Sequence, residues 1–310
     1  MWLALAKRLD QDAPNHIGHP IGVYVGEIDL ETGNSLSEFR LVRLSSEGNG
    51  IAEGPHLFKR GQYYYLITAE GGTELVHQEW VMRSKGSPLG PWELGEKDSI
   101  NPMIFNGDHS DVRQTGHMDM VEGVDGRWWA VFLAVRPIRD ESGNTQLSQL
   151  GRETFLAPVE WHDDWPVVNG RRPITINMDI PGLLRSCETF REEITFAPGI
   201  DLAKQGWYRM RTPLKKDYAL SGDTLTLYGS PYSITAAEAP TMFLRKQLSF
   251  HGHWTVEIEA SPQPRHQAGM AIWWSKYSYA SVAIRGTKEG RELVYKFPNF
   301  ENDDFEVRVV

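Results

Sequence analysis

The strongest constraint in this 310-residue sequence is a pattern of four short strands that occurs twice in succession. In both copies tight turns, such as Arg60-Gly61 and Asp125-Gly126, separate β-type runs, which is typical of an antiparallel meander. The first copy has strands at 56–59, 63–68, 78–83 and 91–94, and the second at 116–121, 127–135, 154–161 and 165–168. Gly54 and Gly116 hold matching places, 62 residues apart. A meander repeated at that spacing predicts β-propeller blades with long loops.

The residues ahead of these two copies fit part of another blade. Strands at 2–7, 22–30 and 39–44 match the second, third and fourth strands of a blade, and its first strand is expected to lie before Met1. The sequence therefore predicts an all-β fold with about two and a half propeller blades over residues 1–175. An open propeller of this kind leaves unpaired strand edges.

The second half of the chain predicts a different β domain. Residues 176–193 lie in a stretch punctuated by Pro and Gly that predicts a linker, and residues 194–310 carry short strands at regular spacing. Those strands are expected at 207–211, 224–228, 243–249, 254–260, 268–274, 280–284 and 293–296. Such spacing is typical of a β-sandwich. Since the sequence is still strand-like at Val309 and Val310, it leaves open whether the sandwich is complete.

Composition excludes several classes of partner and site. The formal charge of −9 argues against binding to nucleic acid or to an anionic membrane surface. No run reaches the roughly 18 apolar residues of a membrane span. Cys187 is the only cysteine, so we expect neither a disulfide framework nor a cysteine-based zinc site. Residues 1–6 lack the basic segment of a signal peptide, and localisation stays open.

Polar residues at the ends of the predicted blade strands are the candidates for chemistry. They are Glu53, His56, Thr73, His117, Asp119 and Arg152. Hydrolysis of a glycosidic bond needs two carboxyl groups, one as the acid for the leaving oxygen and the other as base or nucleophile. Glu53, at the head of a strand, is well placed to donate a proton. Two of the candidates have simpler interpretations, since His56 could bond the backbone and Arg152 could form an ordinary salt bridge.

Four motifs together resemble a known family. They are Glu-Gly-Pro-His-Leu at 53–57, Tyr-Tyr-Tyr-Leu-Ile-Thr-Ala-Glu-Gly-Gly-Thr at 63–73, Gly-His-Met-Asp at 116–119, and Leu-Gly-Arg-Glu-Thr-Phe-Leu-Ala-Pro-Val-Glu-Trp at 150–161. In order and spacing they resemble glycoside hydrolase family 43, in particular its β-xylosidases with a C-terminal β-sandwich. The resemblance implies a five-bladed β-propeller and an inverting glycosidase that acts on xylosides and arabinofuranosides.

The resemblance also implies roles for individual residues. Glu53 would be the general acid, Arg152 would contact the sugar and the catalytic base, and Thr73 would line the pocket. His117 would lie near the propeller axis, where some members use the matching His to hold a divalent cation, often calcium, through water. No cofactor is otherwise required. Met118 departs from the smaller residue that is usual there, so we expect it to narrow the site.

The resemblance further implies that two aspartates are missing from this sequence. The family's base Asp and the Asp that tunes the acid both fall upstream of Met1, and Asp10 and Asp12 are poor substitutes. We therefore expect a glycosidase lineage with xylo- or arabino-oligosaccharides as substrates, but impaired turnover by this chain. A reading frame that starts too late, without a stable product, is another interpretation. The sequence selects neither xylose nor arabinose, and it does not fix the oligomeric state.

A non-enzymatic function is the main alternative. The sandwich is rich in aromatic residues, and such rings form flat platforms for sugars. The candidate platform residues are Trp254, Trp273 and Trp274. On this hypothesis the chain is a carbohydrate-binding protein without catalysis.

Overall fold

The computed structural model describes residues 1–9, 20–109, 111–139, 141–142, 145–146, 148–178, 193–260, 262–299 and 304–309. The chain divides into two compact units, Met1–Arg185 and Ser186–Val310. Strands dominate both units, and one 3-10 turn, Asn169–Arg171, is the only helical element among the described residues. No helix in those ranges is both long and apolar enough to cross a membrane. The predicted linker 176–193 lies mostly outside the described residues, so its bounds stay a prediction.

The described residues of the first unit form thirteen strands. Their bounds are β1 Trp2–Arg8, β2 Ile21–Glu27, β3 Arg40–Leu44, β4 Ala52–Arg60, β5 Tyr63–Glu70, β6 Gln78–Lys85, β7 Glu93–Leu94, β8 Arg113–Glu122, β9 Trp128–Val135, β10 Ile138–Arg139, β11 Thr145–Gln146, β12 Glu153–His162 and β13 Trp165–Val168.

These strands form three antiparallel sheets in chain order. The first sheet is β1-β2-β3, the second is β4-β5-β6-β7, and the third is β8-β9-β12-β13. The short pair β10-β11 lies in the connection between β9 and β12. The predicted pattern of three strands followed by two four-stranded copies is therefore correct. Both first strands start earlier than predicted, β4 at Ala52 and β8 at Arg113.

The sheets stack on one another through apolar side chains that alternate along each strand. Tyr65 and Ile67 of β5 belong to a core cluster shared with Ala130 and Phe132 of β9 in the third sheet. Leu66, between them, belongs to a second cluster with Val23 of the first sheet. Because successive side chains of a strand point to opposite faces, a sheet between two others needs apolar residues at nearly every position. That requirement explains the unbroken run at 63–67.

Cationic side chains also join neighbouring sheets. The guanidinium of Arg83 in β6 lies 4.5 Å from the ring centroid of Tyr63 and 4.1 Å from that of Trp165 in the third sheet. It also donates to the carbonyl of Asp163 at 2.7 Å. Nearby, the Tyr65 hydroxyl donates to the carbonyl of Asp164 at 2.7 Å. The turn between β12 and β13 is thereby held against the second sheet.

In the second unit, the part of the chain that the structure describes forms eight strands. Their bounds are β14 Tyr208–Arg209, β15 Tyr218–Ser221, β16 Thr224–Leu227, β17 Phe243–Leu244, β18 Gln267–Ser275, β19 Ser278–Gly286, β20 Arg291–Asn299 and β21 Asp304–Val309. The last four form one antiparallel sheet in chain order, and β14-β17 and β15-β16 form two small pairs.

The structure and the sequence prediction differ at several places in this unit. β15 and β21 were not among the predicted strands, the strand predicted at 243–249 covers only Phe243–Leu244, and the predicted strand at 254–260 is not a strand. The last error has a physical reason. Trp254, Val256 and Ile258 alternate as strand residues do, but a strand also needs a hydrogen-bonded neighbour, and none of the described residues pairs with this segment. Its three apolar side chains are exposed instead.

Candidate active site

Two irregular strand segments, one in the second sheet and one in the third, face each other. In β4 the pairing with β5 shifts between Glu53 and His56, and Gly54 has φ +53°. In β8 the pairing with β9 shifts on both sides of Gly116, and His117 has φ +55°. Bulges of this kind re-aim a side chain that a regular strand would direct elsewhere. They supply the local geometry of the candidate site.

The imidazole of His117 packs directly on the backbone of Gly54. A Cβ atom at position 54 would lie 2.7 Å from Nε2 of His117, closer than real Cβ contacts come. Glycine is therefore required at position 54 for two reasons. The backbone has a positive φ there, and the His117 ring occupies the space that a side chain would fill. Since Gly54 follows Glu53, the contact places the predicted general acid beside His117.

His77 lies beneath this arrangement and was not predicted from the sequence. It is fully buried, and its Nδ1 lies 2.9 Å from the carbonyl oxygen of Gln114. Because that oxygen can only accept, Nδ1 donates and Nε2 carries the free electron pair. A Cβ at Gly116 would lie 2.8 Å from Nε2, and Nε2 has no hydrogen-bond partner among the described residues.

The pKa of His77 depends on burial and on neighbouring groups. Burial lowers the pKa of His77 below its ordinary value of 6.5, and the hydrogen bond to Gln114 partly offsets this effect. Electrostatic interactions with His117 and Arg152 lower the pKa of His77 further, and the interaction with Glu53 raises it. The contacts of His117 with Gly54 and of His77 with Gly116 bring Glu53 and the two imidazoles to neighbouring positions. The place of Arg152 in this site stays a prediction.

The four predicted site residues differ in exposure. Glu53 and His117 are partly buried, whereas Arg152 is exposed directly before β12. Thr73 is exposed three residues after β5 ends. No hydrogen bond or ion pair within the described residues joins Thr73 to the other three. Its role in lining a pocket stays a prediction.

His56 and Asp119 form a second polar contact between β4 and β8. Nδ1 of His56 lies 3.2 Å from Oδ1 of Asp119, and both side chains are substantially exposed. Nδ1 of His56 therefore contacts a carboxylate, and not the backbone as the simpler interpretation proposed. His117 and Asp119 both point toward β4, as the alternation around Met118 predicts.

Met118 does not narrow the site, and that prediction is wrong. Its side chain is fully buried in the core cluster between the second and third sheets. The reason is the two-residue period of a strand: if His117 and Asp119 face β4, the residue between them faces the opposite side.

Glu79 of β6 is a second functional candidate that the sequence analysis missed. Its carboxyl is fully buried, and Oε2 accepts a hydrogen bond from the Met118 backbone N–H at 3.0 Å. Burial raises the pKa of Glu79 well above its ordinary value, and hydrogen bonds from the backbones of Met118 and His117 counteract part of this effect. The available signal was the polar pair Gln78-Glu79 directly before the apolar run Trp80-Val81-Met82.

The predicted calcium site can be tested against the residues present. Calcium takes six to eight oxygen ligands, and the described residues contain no group of three or more His, Cys, Asp or Glu arranged to hold a metal ion. His117 offers one nitrogen, a buried Nδ1 that lacks a partner within the described ranges. These residues do not form a direct calcium site. A cation held by His117 through water stays a prediction, and we assign no step to it.

The chemistry that this cluster can perform follows from its groups. Glu53 supplies a carboxyl that can donate a proton, Arg152 supplies a fixed positive charge, and His117 supplies a hydrogen-bonding ring. Proton donation to a leaving oxygen beside groups that bind hydroxyls is half of a glycosidic hydrolysis.

Comparison with known proteins matches both units. Residues 4–166 match the family described as Glycosyl hydrolases family 43, and residues 200–309 match the Beta xylosidase C-terminal Concanavalin A-like domain. A solved structure described as Bacteroides ovatus Xyloglucan PUL GH43B is 28% identical with a TM-score of 0.74, and the match covers 96% of this chain and 57% of that one. The predicted partial five-bladed β-propeller followed by a β-sandwich is thereby confirmed.

Curated relatives agree with these matches. The chain is 33% identical over 261 residues to the Non-reducing end alpha-L-arabinofuranosidase BoGH43B of Bacteroides ovatus, a match that covers 80% of this chain and 46% of the relative. It is 35% identical over 293 residues to the Xylan 1,3-beta-xylosidase of a Vibrio species, covering 91% of this chain and 54% of the relative. The chain thus spans about half the length of these curated relatives.

Proposed function

Because the chain belongs to family 43 of the glycosyl hydrolases, we propose that Glu53 is the general acid of a glycosidase that cleaves xylosides or arabinofuranosides. The observation that supports the proposal is the packing of His117 on Gly54, the residue that follows Glu53. A proton donor beside hydroxyl-binding groups is what departure of a sugar alcohol requires.

In the proposed inverting reaction, Glu53 protonates the glycosidic oxygen while a base on the opposite face of the ring activates water. Arg152 and His117 hold the sugar through its hydroxyls, and Thr73 lines the pocket. Fixed donors of this kind align the scissile bond with the acid, which lowers the entropic part of the barrier.

The substrate class is a pentose at the end of an oligosaccharide. One relative is named for releasing α-L-arabinofuranose from the non-reducing end, and another for acting on β-1,3-linked xylan. The part that these names share is a pentosidase, and we propose that this chain acts as one, in exo mode. Xylo- and arabino-oligosaccharides are the proposed partners.

We also propose that this 310-residue polypeptide, expressed alone, turns over slowly. The proposal is supported by the family resemblance, which implies that the base Asp lies outside these residues, so that water would be activated inefficiently. Loss of a general acid or base typically costs about 10²- to 10⁴-fold.

The test of Glu53 as the general acid compares substrates whose leaving groups differ in their need for a proton. Glu53→Gln removes the proton donor but keeps shape and hydrogen bonding. We expect kcat on a xyloside with an alkyl leaving group to fall by about 10²- to 10⁴-fold, whereas kcat on a dinitrophenyl xyloside stays within about tenfold, because that leaving group departs without a proton.

The matched control is Glu122→Gln, which neutralises an exposed carboxyl at the end of β8. We expect this variant to hydrolyse both substrates with the kcat of the wild type. Equal losses by Glu53→Gln on both leaving groups would contradict the assignment of the acid.

The carbohydrate-binding alternative has one observation in its favour. Trp254 and Trp274 are 49% and 53% exposed, so their rings are available to a sugar. The side chain of Trp273 points to the opposite face of β18 from that of Trp274 and is less exposed. The three tryptophans therefore do not form one platform. If the chain only binds sugars, Trp274→Ala weakens affinity for a xylo-oligosaccharide, and Glu53→Gln leaves that affinity unchanged.

A further inference from the structure

We propose that Glu79 is a positioning residue, which holds the bulge at His117 so that its imidazole packs on Gly54 beside the acid. The inference rests on the proposed function for the role of Glu53, but not for the geometry of the bulge.

The bulge in β8 leaves backbone groups without regular partners. Gly116 pairs with Leu133 and Asp119 pairs with Val131, so three steps along β8 match two along β9. His117 and Met118 fall within the extra length, and the positive φ of His117 is a conformation that non-glycine residues seldom adopt. Buried amides in such a segment need acceptors from elsewhere.

Glu79 supplies an acceptor from the neighbouring sheet. Its Oε2 accepts the Met118 N–H at 3.0 Å. The Met118 amide belongs to the irregular segment. Because the carboxyl is fully buried, water does not compete for this bond.

Backbone hydrogen bonds fix Glu79 in the same row of the sheet as Glu53. Its N–H donates to the carbonyl of Ile104 at 3.1 Å, and its carbonyl accepts from the N–H of Met103 at 2.8 Å. Across the second sheet, Glu79 pairs with Ala69, and Ala69 pairs with Glu53. One row of the sheet therefore carries both Glu53 and the carboxyl that holds the opposing bulge.

This arrangement gives Glu79 a role in geometry rather than in contact with the sugar. A shift of the bulge moves the His117 ring off Gly54, and Glu53 then loses a neighbour that defines its position. Misplacement by about 1 Å costs roughly 100-fold in rate at a site that depends on alignment.

The test compares three variants of the 310-residue chain. Glu79→Gln keeps an oxygen for the Met118 amide, and Glu79→Leu keeps the volume without any acceptor. Val81→Ala creates a cavity two residues further along β6, in the core cluster that also contains Met118, and leaves the Glu79 carboxyl in place. The third variant is the matched control for lost stability.

NMR provides a readout that does not require turnover. In Glu79→Leu we expect the Met118 amide to exchange with deuterium about tenfold faster or more, and the ring signals of His117 to shift. Glu79→Gln and Val81→Ala should keep both at wild-type values. If Glu79→Leu does not fold, Glu79→Asp replaces it, because shortening the side chain by one methylene withdraws the carboxyl from the amide.

Kinetics complete the test. With an aryl xyloside, Glu79→Leu should lower kcat by about 100-fold, and Glu79→Gln should restore most of it. Wild-type signals for His117 and Met118 in Glu79→Leu, or the same changes in Val81→Ala, overturn the inference. Absence of any pentosidase activity in the wild type would count against the proposed function, while the NMR comparison would still decide the role of Glu79.

Discussion

At the scale of single residues, His77 couples the stability of the first unit to pH. Burial holds its pKa below 6.5, so the folded protein keeps the ring neutral where the unfolded chain has already bound a proton. The contribution of His77 to stability is therefore complete above about pH 6.5 and is lost as the pH falls through its folded-state pKa.

The corresponding prediction concerns His77→Asn. This variant removes the titrating ring but keeps a donor for the Gln114 carbonyl, so we expect the decrease in Tm between pH 7 and pH 5 to become shallower than in the wild type. Thermal unfolding at several pH values measures it. His162→Asn, at an exposed position, is the control, and equal slopes for wild type and His77→Asn would exclude this role.

The candidate site was predictable where a residue lies in a strand-end motif, and not where it is defined by packing. Glu53 and His117 stand in recognisable runs, and the structure brings them together. His77 and Glu79 escaped because their importance comes from the third sheet: one lies under Gly116, and the other binds the Met118 amide. No local pattern near residues 77–79 specifies which strand will lie across from them.

At the scale of elements, the sheets of the first unit are joined by a buried ion pair. Arg43 of β3 donates two hydrogen bonds, at 2.7 and 2.8 Å, to the carboxylate of Glu70 in β5, and Glu70 is fully buried. Thr68 adds a third donor at 2.9 Å. The pair spans the first and second sheets immediately before the turn that leads to Thr73.

Removing one partner should be costly. In Arg43→Met, Glu70 remains buried without its counterion, so we expect the free energy of unfolding of the first unit to fall by about 3–5 kcal/mol. Urea unfolding followed by tryptophan fluorescence measures it. The double variant Arg43→Met/Glu70→Gln removes the uncompensated charge and should recover part of the loss. A loss under about 1 kcal/mol in the single variant would contradict this account.

Strands were predicted well wherever alternation coincides with a partner nearby in the sequence. The meanders of the second and third sheets satisfy that condition, since each strand pairs mostly with its neighbours along the chain. The segment 254–260 has the alternation without the partner, and it is not a strand. Alternation of apolar and polar residues indicates that a segment can form a strand. Whether it does so depends on whether the fold places another strand next to it.

At the scale of the whole molecule, the 310-residue chain spans about half the length of its curated relatives. We expect an N-terminally extended version that carries an Asp-bearing strand to hydrolyse an aryl β-xyloside about 10²- to 10⁴-fold faster than the 310-residue polypeptide. Side-by-side initial rates at equal protein concentration provide the measurement. Comparable turnover by the two would refute the expected impairment.

The contacts of the turn between β12 and β13 also bear on how the protein is made. The hydrogen bonds from Arg83 and Tyr65 reach carbonyls 80 and 99 residues later in the chain. A ribosome that adds about 5–20 residues per second needs about 4–16 seconds to synthesise 80 residues. During that interval the aromatic face of the nascent second sheet has emerged without its cover. Synthesis of this protein is therefore a period of exposure, in which chaperones and fast translation of residues 84–164 would protect the growing polypeptide from aggregation.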